Sequence, residues 1–244
     1  MNFMEFEFDF PFEAFEASEE IIQSIMHEKS ISHEKAYYIA YQEQWKWKRR
    51  ALQLETRCLS AMIERLLPEF KCKFWKIIIE FVSTPEYLSP KNFTGVCVVQ
   101  YPFHLDWYRK QTELNKLIYL TNCAENAILQ IKKEVPNISD YFYPVFHKIK
   151  SSNYHNIWTW HEIIYSPQKT YSAYVQIVHT MKDVTAYAII KHTNTENTQK
   201  IKIFSEIPDE RAYAVYLGKL KFINETTLQL RNQSGDIIFT TKYN

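Results

Sequence analysis

The sequence predicts an α+β protein, in which a helix-rich first part contains one long helix and the second part is an antiparallel β-meander. Three observations indicate this class: apolar stripes at helical spacing before residue 150, short β-branched and aromatic runs after residue 155, and short breaker segments between those runs. Apolar residues make up 46% of the 244 residues and aromatic residues 16%, which suffices for a sizeable core.

The chain opens with alternating apolar and acidic side chains over residues 4–12. Phenylalanines lie on one side and Glu5, Glu7 and Asp9 on the other, and this period of two is typical of a strand with one buried face. A short helix is predicted over residues 18–28.

The longest predicted helix begins at Ser32, a good N-cap, and ends at Leu67 before Pro68. Apolar residues recur every seven positions along it, which predicts a core-facing stripe. They are Trp45, Leu52, Leu59 and Leu66.

Two strands, over residues 73–82 and 94–101, precede a second amphipathic helix over residues 106–135, which Pro136 ends. A short aromatic helix is predicted over residues 141–150. The second amphipathic helix is predicted to bury one apolar face. That face comprises Leu114, Leu117, Ile118, Ala124, Ile128 and Ile131.

Eight short strands are predicted after residue 155, and their short connections favour antiparallel pairing. They span residues 157–165, 171–179, 184–192, 200–205, 212–216, 219–223, 227–231 and 236–242. We expect parts 1–150 and 151–244 to pack as one compact unit, with the two long helices covering the antiparallel sheet.

The central strands supply the first candidate binding surface. Symmetric hairpin turns would place Trp160 opposite Gln176, and Tyr187 beside Gln176. One sheet face would then combine aromatic and polar side chains, which is the composition of an interface centre. Its members would be Trp158, Trp160, Tyr174, Gln176 and Tyr187. The alternative is that these aromatics form ordinary core beneath the long helix, and a shift of one residue would exchange the two faces.

A second candidate lies on the long helix, where residues 45–50 interleave aromatic and basic side chains. Trp47 and Arg50 are the protein-binding candidates there. Such a run could also stack bases and hold phosphates, although helical geometry divides it around the helix, and a solvated face is the plainer interpretation.

Several chemistries are not expected. The three glycines are too dispersed for a phosphate-binding loop, and the histidines lack metal-ligand spacing, so we predict no cofactor, metal or catalytic residue. Cys97, His104 and Asp106 form the best nucleophilic triplet, but Cys97 is expected to be buried in a strand.

The 29 basic and 28 acidic residues nearly cancel, so we do not expect nucleic acid as a partner. Four dispersed cysteines, no signal-peptide pattern and no membrane-length apolar run indicate a reduced, cytoplasmic protein that does not insert into membranes.

We therefore expect a non-enzymatic cytoplasmic protein that binds another protein, for instance a stoichiometric inhibitor such as a toxin-neutralising immunity protein. The alternative is a hydrolase or nucleic-acid-processing enzyme whose site is assembled from residues distant in sequence.

Overall fold

The computed structural model describes residues 2–11 and 18–243, without the side chains of Gln44 and Trp45. Phe12, predicted to end the first strand, and the Trp45 side chain of the helical stripe lie outside this description. The chain divides into two compact units, Met1–Tyr154 and His155–Asn244, and each is considered by itself.

The first unit contains a four-stranded mixed sheet. Its strands are β1 (Glu5–Asp9), β2 (Lys76–Val82), β3 (Lys91–Phe93) and β4 (Val96–Pro102). The strand order is β1-β2-β4-β3, in which β1, β2 and β4 are parallel and only β3 runs antiparallel to its neighbour.

Helices make up most of the rest of this unit. They are α1 (Glu19–Lys29), α2 (His33–Tyr41), α3 (Trp47–Leu66), α4 (Leu105–Arg109), α5 (Glu113–Ile131) and α6 (Ile138–Ser151). The π-helical segment Gln42–Lys46 joins α2 to α3. The predicted long helix is therefore present as one helical stretch, and the Ser32 hydroxyl caps it by accepting a hydrogen bond from the backbone N–H of Lys35.

One face of the mixed sheet forms the core of the first unit. Its fully buried side chains include Phe6, Phe8, Ile77, Ile79 and Phe81. Helix α3 packs on β1, and α5 packs on β2 and β4. The prediction that the two long helices cover the antiparallel sheet is therefore wrong, because their apolar stripes are used on this mixed sheet.

Helix α3 also protects β1, which is an edge strand. Glu64 accepts a hydrogen bond from the backbone N–H of Phe6 at 2.9 Å and is held by Arg57 at 2.7 Å. The Nε of Arg49 donates to the buried carboxylate of Asp9 at 2.7 Å. An edge N–H satisfied in this way cannot pair with another chain.

The predicted buried face of α5 is partly wrong. Leu117, Ala124, Ile128 and Ile131 are buried, whereas Leu114 and Ile118 are 42% and 36% exposed. Helix α5 packs on β2, β4, α3 and α6 through the stripe that contains Leu117, and the neighbouring stripe of Leu114 and Ile118 stays partly exposed.

The second unit contains the predicted antiparallel meander, now divided into two sheets. The first sheet has the order β5-β6-β7-β8, with strands β5 (Asn156–Tyr165), β6 (Tyr171–His179), β7 (Val184–His192) and β8 (Thr198–Glu206). The second has the order β11-β10-β9, with strands β9 (Lys219–Asn224), β10 (Thr227–Arg231) and β11 (Ile237–Lys242). All these pairs are antiparallel, which confirms the predicted α+β class.

The segment between the two sheets is helical, whereas the sequence predicted a strand over residues 212–216. Helix α7 (Glu210–Tyr213) and the 3-10 turn Ala214–Tyr216 occupy it. The physical reason is the N-cap at Asp209, whose carboxylate accepts from the backbone N–H of Arg211 at 3.0 Å.

The two sheets pack face to face around a shared core. Val175, Ile177 and Ala186 of the first sheet cluster with Leu230 of the second, and α7 with its following turn adds Tyr213 and Leu217. A neighbouring cluster joins Ala173, Ala188 and Ile190 to Leu228. Each sheet therefore has one face in the core and one face turned outward.

Every helix among the described residues is too short or too polar to cross a lipid bilayer.

Candidate functional site

The register between β5 and β6 decides which side chains face outward from the first sheet. Trp160 lies opposite Val175 and Trp158 opposite Ile177, one residue away from the predicted pairing. A bulge over residues 161–163 then shifts the register by two residues, so that Ile164 lies opposite Ala173. The assumed symmetric turn falls between these two registers and matches neither.

Trp158 and Trp160 therefore belong to the inner face, contrary to the prediction that they share a face with Tyr174 and Gln176. Both tryptophans pack against the core cluster that contains Val175 and Ile177. The second sheet and α7 cover the two tryptophans, whereas the alternative prediction was that the long helix covers them. The same assumed turn would place Ile157 and Ile163 on the core face, whereas both side chains are exposed.

The other three predicted residues do share a face. Gln176 pairs with Tyr187, and Tyr174 pairs with Ile189, which is the predicted register of the second hairpin. All three predicted side chains point outward and are half-buried. We call the outward side of β5–β8 the tyrosine face.

The tyrosine face contains further residues that the sequence reasoning missed. Tyr165 lies opposite Ser172 on this face and is 56% exposed, while Ile157 lies opposite Val178. Ile189, which lies opposite Tyr174 on the same face, is only 4% exposed. The sequence reasoning missed these residues because it assumed a regular strand through residues 161–163, where the structure has the bulge.

Positive charge borders the tyrosines. The Nζ of Lys200 lies 4.2 Å from the ring centre of Tyr187, and the Nζ of Lys191 lies 5.6 Å from that of Tyr174. Lys202 pairs directly across from Tyr187. None of the three lysines contacts a carboxylate within the described part of the chain. The face thus joins aromatic area to unneutralised cations.

The bulge itself is the strained part of the sheet. His161 adopts a left-handed φ of 56°, which is uncommon outside glycine, and its ring lies 4.5 Å from that of Trp160. The symmetric turn assumed from the sequence would also place His161 on the apolar face opposite Val175, but its side chain is exposed.

Trp47 and Arg50, the second candidate, lie in the first unit at the beginning of α3. Trp47 is 61% exposed directly after the π-helical segment, between the exposed Lys46 and Lys48. Arg50 is only half-exposed and is engaged by other residues of the chain. The structure thus leaves Trp47 accessible, as a binding residue needs to be.

The nucleophilic triplet does not form a reactive arrangement. Cys97 is fully buried in β4, and burial raises the pKa of its thiol to about 12, whereas His104 and Asp106 are exposed. A thiol with so high a pKa is almost entirely protonated near neutral pH and is a poor nucleophile.

Two further features bear on chemistry. A cleft of about 460 Å³ lies beside the end of β4. Its lining includes Tyr87, Leu88, Gln100, Tyr101, Leu129 and Lys133. The Gln100 amide is already bonded to the backbone N–H of Glu86 and to the carboxylate of Glu80. Among the described residues, no three His, Cys, Asp or Glu side chains lie together as metal ligands would.

Comparison of the chain with protein-family models, with curated protein sequences and with solved structures found no match. The geometry alone therefore carries the functional argument. In that geometry the tyrosine face combines aromatic area, exposure and charge over four neighbouring strands.

Proposed function

We propose that this protein is non-enzymatic and acts by binding another protein through the tyrosine face. One observation carries the proposal: Tyr165, Tyr174 and Tyr187 all point outward from one sheet, beside Gln176 and the apolar side chains of the same face. Tyrosine offers large contact area with two rotatable bonds and a hydrogen-bonding hydroxyl, which is why it is enriched in interfaces.

The charge on the tyrosine face indicates the partner's chemistry. Lys191, Lys200 and Lys202 lie at its border, and the paired strand residues that share the face are otherwise uncharged, while the exposed Glu162 lies in the β5 bulge. A partner surface with acidic side chains around an apolar centre would complement it and would also accelerate encounter. A stoichiometric inhibitor, such as a toxin-neutralising immunity protein, would act in this way.

The same proposal places the protein in the cytoplasm. All four cysteines, Cys58, Cys72, Cys97 and Cys123, are free thiols and buried. Free thiols persist in a reducing compartment, whereas oxidising compartments favour disulfides.

Capture of a partner from native lysate tests the proposal when it is combined with two matched tyrosine variants. Tyr187→Ala should weaken the captured complex by at least ~2 kcal/mol, about 30-fold in Kd, as loss of an interface anchor does. Tyr38→Ala removes an equally large exposed side chain from α2 in the other unit and should leave the affinity unchanged.

Equal binding by the wild type and both variants would refute the tyrosine face as the binding site. Trp47→Ala tests the second candidate surface. If this variant alone loses binding, the binding site lies on α3 and not on the tyrosine face.

A further inference from the structure

The outward strand residues of the second sheet include positive charges and no negative charge. Asp236 lies in the turn between β10 and β11, where its carboxylate accepts a hydrogen bond from the Asn232 side chain. Leu220, Phe222, Leu228, Leu230 and Phe239 pack into the core, so the residues that alternate with them point outward. The outward cations are Lys219 and Lys221 on β9, Arg231 on β10 and Lys242 on β11. We call this surface the basic face. Strands β9, β10 and β11 contain no aspartate or glutamate.

The cations of the basic face are placed against one another. Lys219 lies directly opposite Arg231. Lys221, two residues further along β9, lies opposite Gln229. Like charges directly opposite in a sheet destabilise it. None of the four cations contacts a carboxylate among the described residues, so this repulsion is not compensated within the chain as described.

The centre of the basic face is held in a fixed geometry. Arg231 donates from Nε to the side-chain oxygen of Gln229 at 2.8 Å and from Nη1 to the backbone oxygen of Gly235 at 3.1 Å. Gln229 is only 7% exposed and donates to the Thr240 hydroxyl. A guanidinium held in this way loses little further freedom when it binds an anion.

Thr227 adds an independent sign of a missing partner. It lies on the same face, opposite Lys242, and is 7% exposed. Its hydroxyl has no hydrogen-bond partner among the described residues, which is rare for a buried polar group.

We propose that the basic face binds the phosphate backbone of a double-stranded nucleic acid. Successive cations are spaced by ~7 Å along a strand and by ~5 Å between strands, so the four cover a patch of roughly 10 by 14 Å. Lysine, arginine, threonine and glutamine are the side chains that contact phosphates without reading sequence.

The composition of the basic face favours a duplex over two other occupants. The outward residues of β9–β11 include no aromatic side chain, whereas single strands are usually held by aromatic stacking. A protein partner would usually need an aromatic or apolar anchor at the centre, whereas here the centre is Gln229, and the exposed Ile237 lies opposite Arg231 at one end of the face.

The nearly neutral total charge of the protein is compatible with binding of a nucleic-acid duplex at the basic face. Charges more than about 8–10 Å apart are largely screened at physiological salt, so the local balance governs contact. The acidic residues of the second unit lie in turns, at strand ends, in the β5 bulge and in α7. Glu225, beside β9, is already bonded to the Ser166 hydroxyl and the backbone N–H of Gln168.

Fluorescence anisotropy with a labelled duplex of arbitrary sequence, and with one of its single strands, tests the proposal. We expect duplex binding with a Kd of roughly 1–100 μM, and a log–log slope of Kd against salt that corresponds to up to about four released counterions. The triple variant Lys219→Gln, Lys221→Gln and Lys242→Gln should weaken binding at least ~10-fold and remove about three quarters of that slope.

A matched triple variant on the other sheet, Lys191→Gln, Lys200→Gln and Lys202→Gln, removes the same charge from the tyrosine face. It should leave the affinity for the duplex within ~2-fold of the wild type. Because the two triple variants change different faces, a failure of the duplex proposal can be told apart from a failure of the proposed protein-binding function. Equal losses with both triples, no duplex binding, preference for the single strand, or equal competition by polyglutamate would each overturn the proposal. Thermal melts of both variants confirm that they are folded.

Discussion

A single residue of register decides the role of each aromatic in the first sheet. Trp160 and Tyr187 are both half-buried, yet Trp160 packs on the core cluster and Tyr187 points outward beneath Lys200. The indole N–H of Trp160 has no hydrogen-bond partner among the described residues, so its contribution to stability comes from packing.

Trp160→Ala should lower the free energy of unfolding by roughly 3 kcal/mol, because it opens a cavity beside Val175 and Ile177. Tyr187→Ala should lower it by less than about 1 kcal/mol, because the ring lies on an outward face. Urea unfolding of the two variants measures the difference. A larger loss for Tyr187→Ala would show that the tyrosine face is covered.

The four thiols should behave as buried free groups. In denaturant without reductant, thiol titration should find all four cysteines reactive, whereas the folded protein should react slowly at every one of them. Two or fewer reactive thiols in denaturant would contradict the free state of the cysteines.

At the scale of elements, α5 shows how one helix can have two apolar stripes and bury only one. The stripe through Leu117 and Leu120 lies in the core, while Leu114 and Ile118 remain in solvent. The apolar pattern alone assigns both stripes to one broad face, and packing on β2, β4, α3 and α6 selects the stripe that is buried.

Leu120→Ala and Leu114→Ala form a matched pair, since each replaces a leucine by alanine within the same helix. Leu120→Ala should cost about 3 kcal/mol of unfolding free energy because Leu120 is fully buried, and Leu114→Ala less than ~1 kcal/mol. Chemical unfolding of both variants checks the contrast. Similar costs would place Leu114 in a packed interface.

At the scale of the whole molecule, buried thiols make the free energy of unfolding depend on pH in the alkaline range. Burial raises the pKa of Cys97 and of Cys123 from 9.0 to about 12. Because the folded pKa is raised, both thiols stay protonated in the folded state while the unfolded chain ionises first. Their contribution is fully present below about pH 9 and is lost as the pH rises toward 12.

The free energy of unfolding should therefore fall above pH 9 by up to ~1.4 kcal/mol per pH unit for each thiol. Urea unfolding at pH 8 and pH 10 measures this slope. The double variant Cys97→Ala and Cys123→Ala retains the buried tyrosines and should show a shallower slope. Identical slopes would mean that the thiols ionise equally in both states.

The sequence by itself determined the α+β class, most element positions and the register of the β6–β7 hairpin. These features depend on local spacing: apolar periods of 3.6 and 2, caps such as Ser32, and a tight turn between two strands of equal length. The spacing of Tyr174, Gln176 and Tyr187 around that turn is therefore enough to assign all three to one face.

Only the tertiary structure decided the face of Trp158 and Trp160, the surface that α3 and α5 cover, and the division of the meander into two packed sheets. The β5 bulge shifts the register by two residues, and no glycine or proline in the sequence marks it. The apolar stripe of a helix shows that the helix packs on an apolar surface, but it does not identify which sheet supplies that surface. The basic face likewise depends on strands β9–β11 pairing, because its cations gather only when three separate segments align.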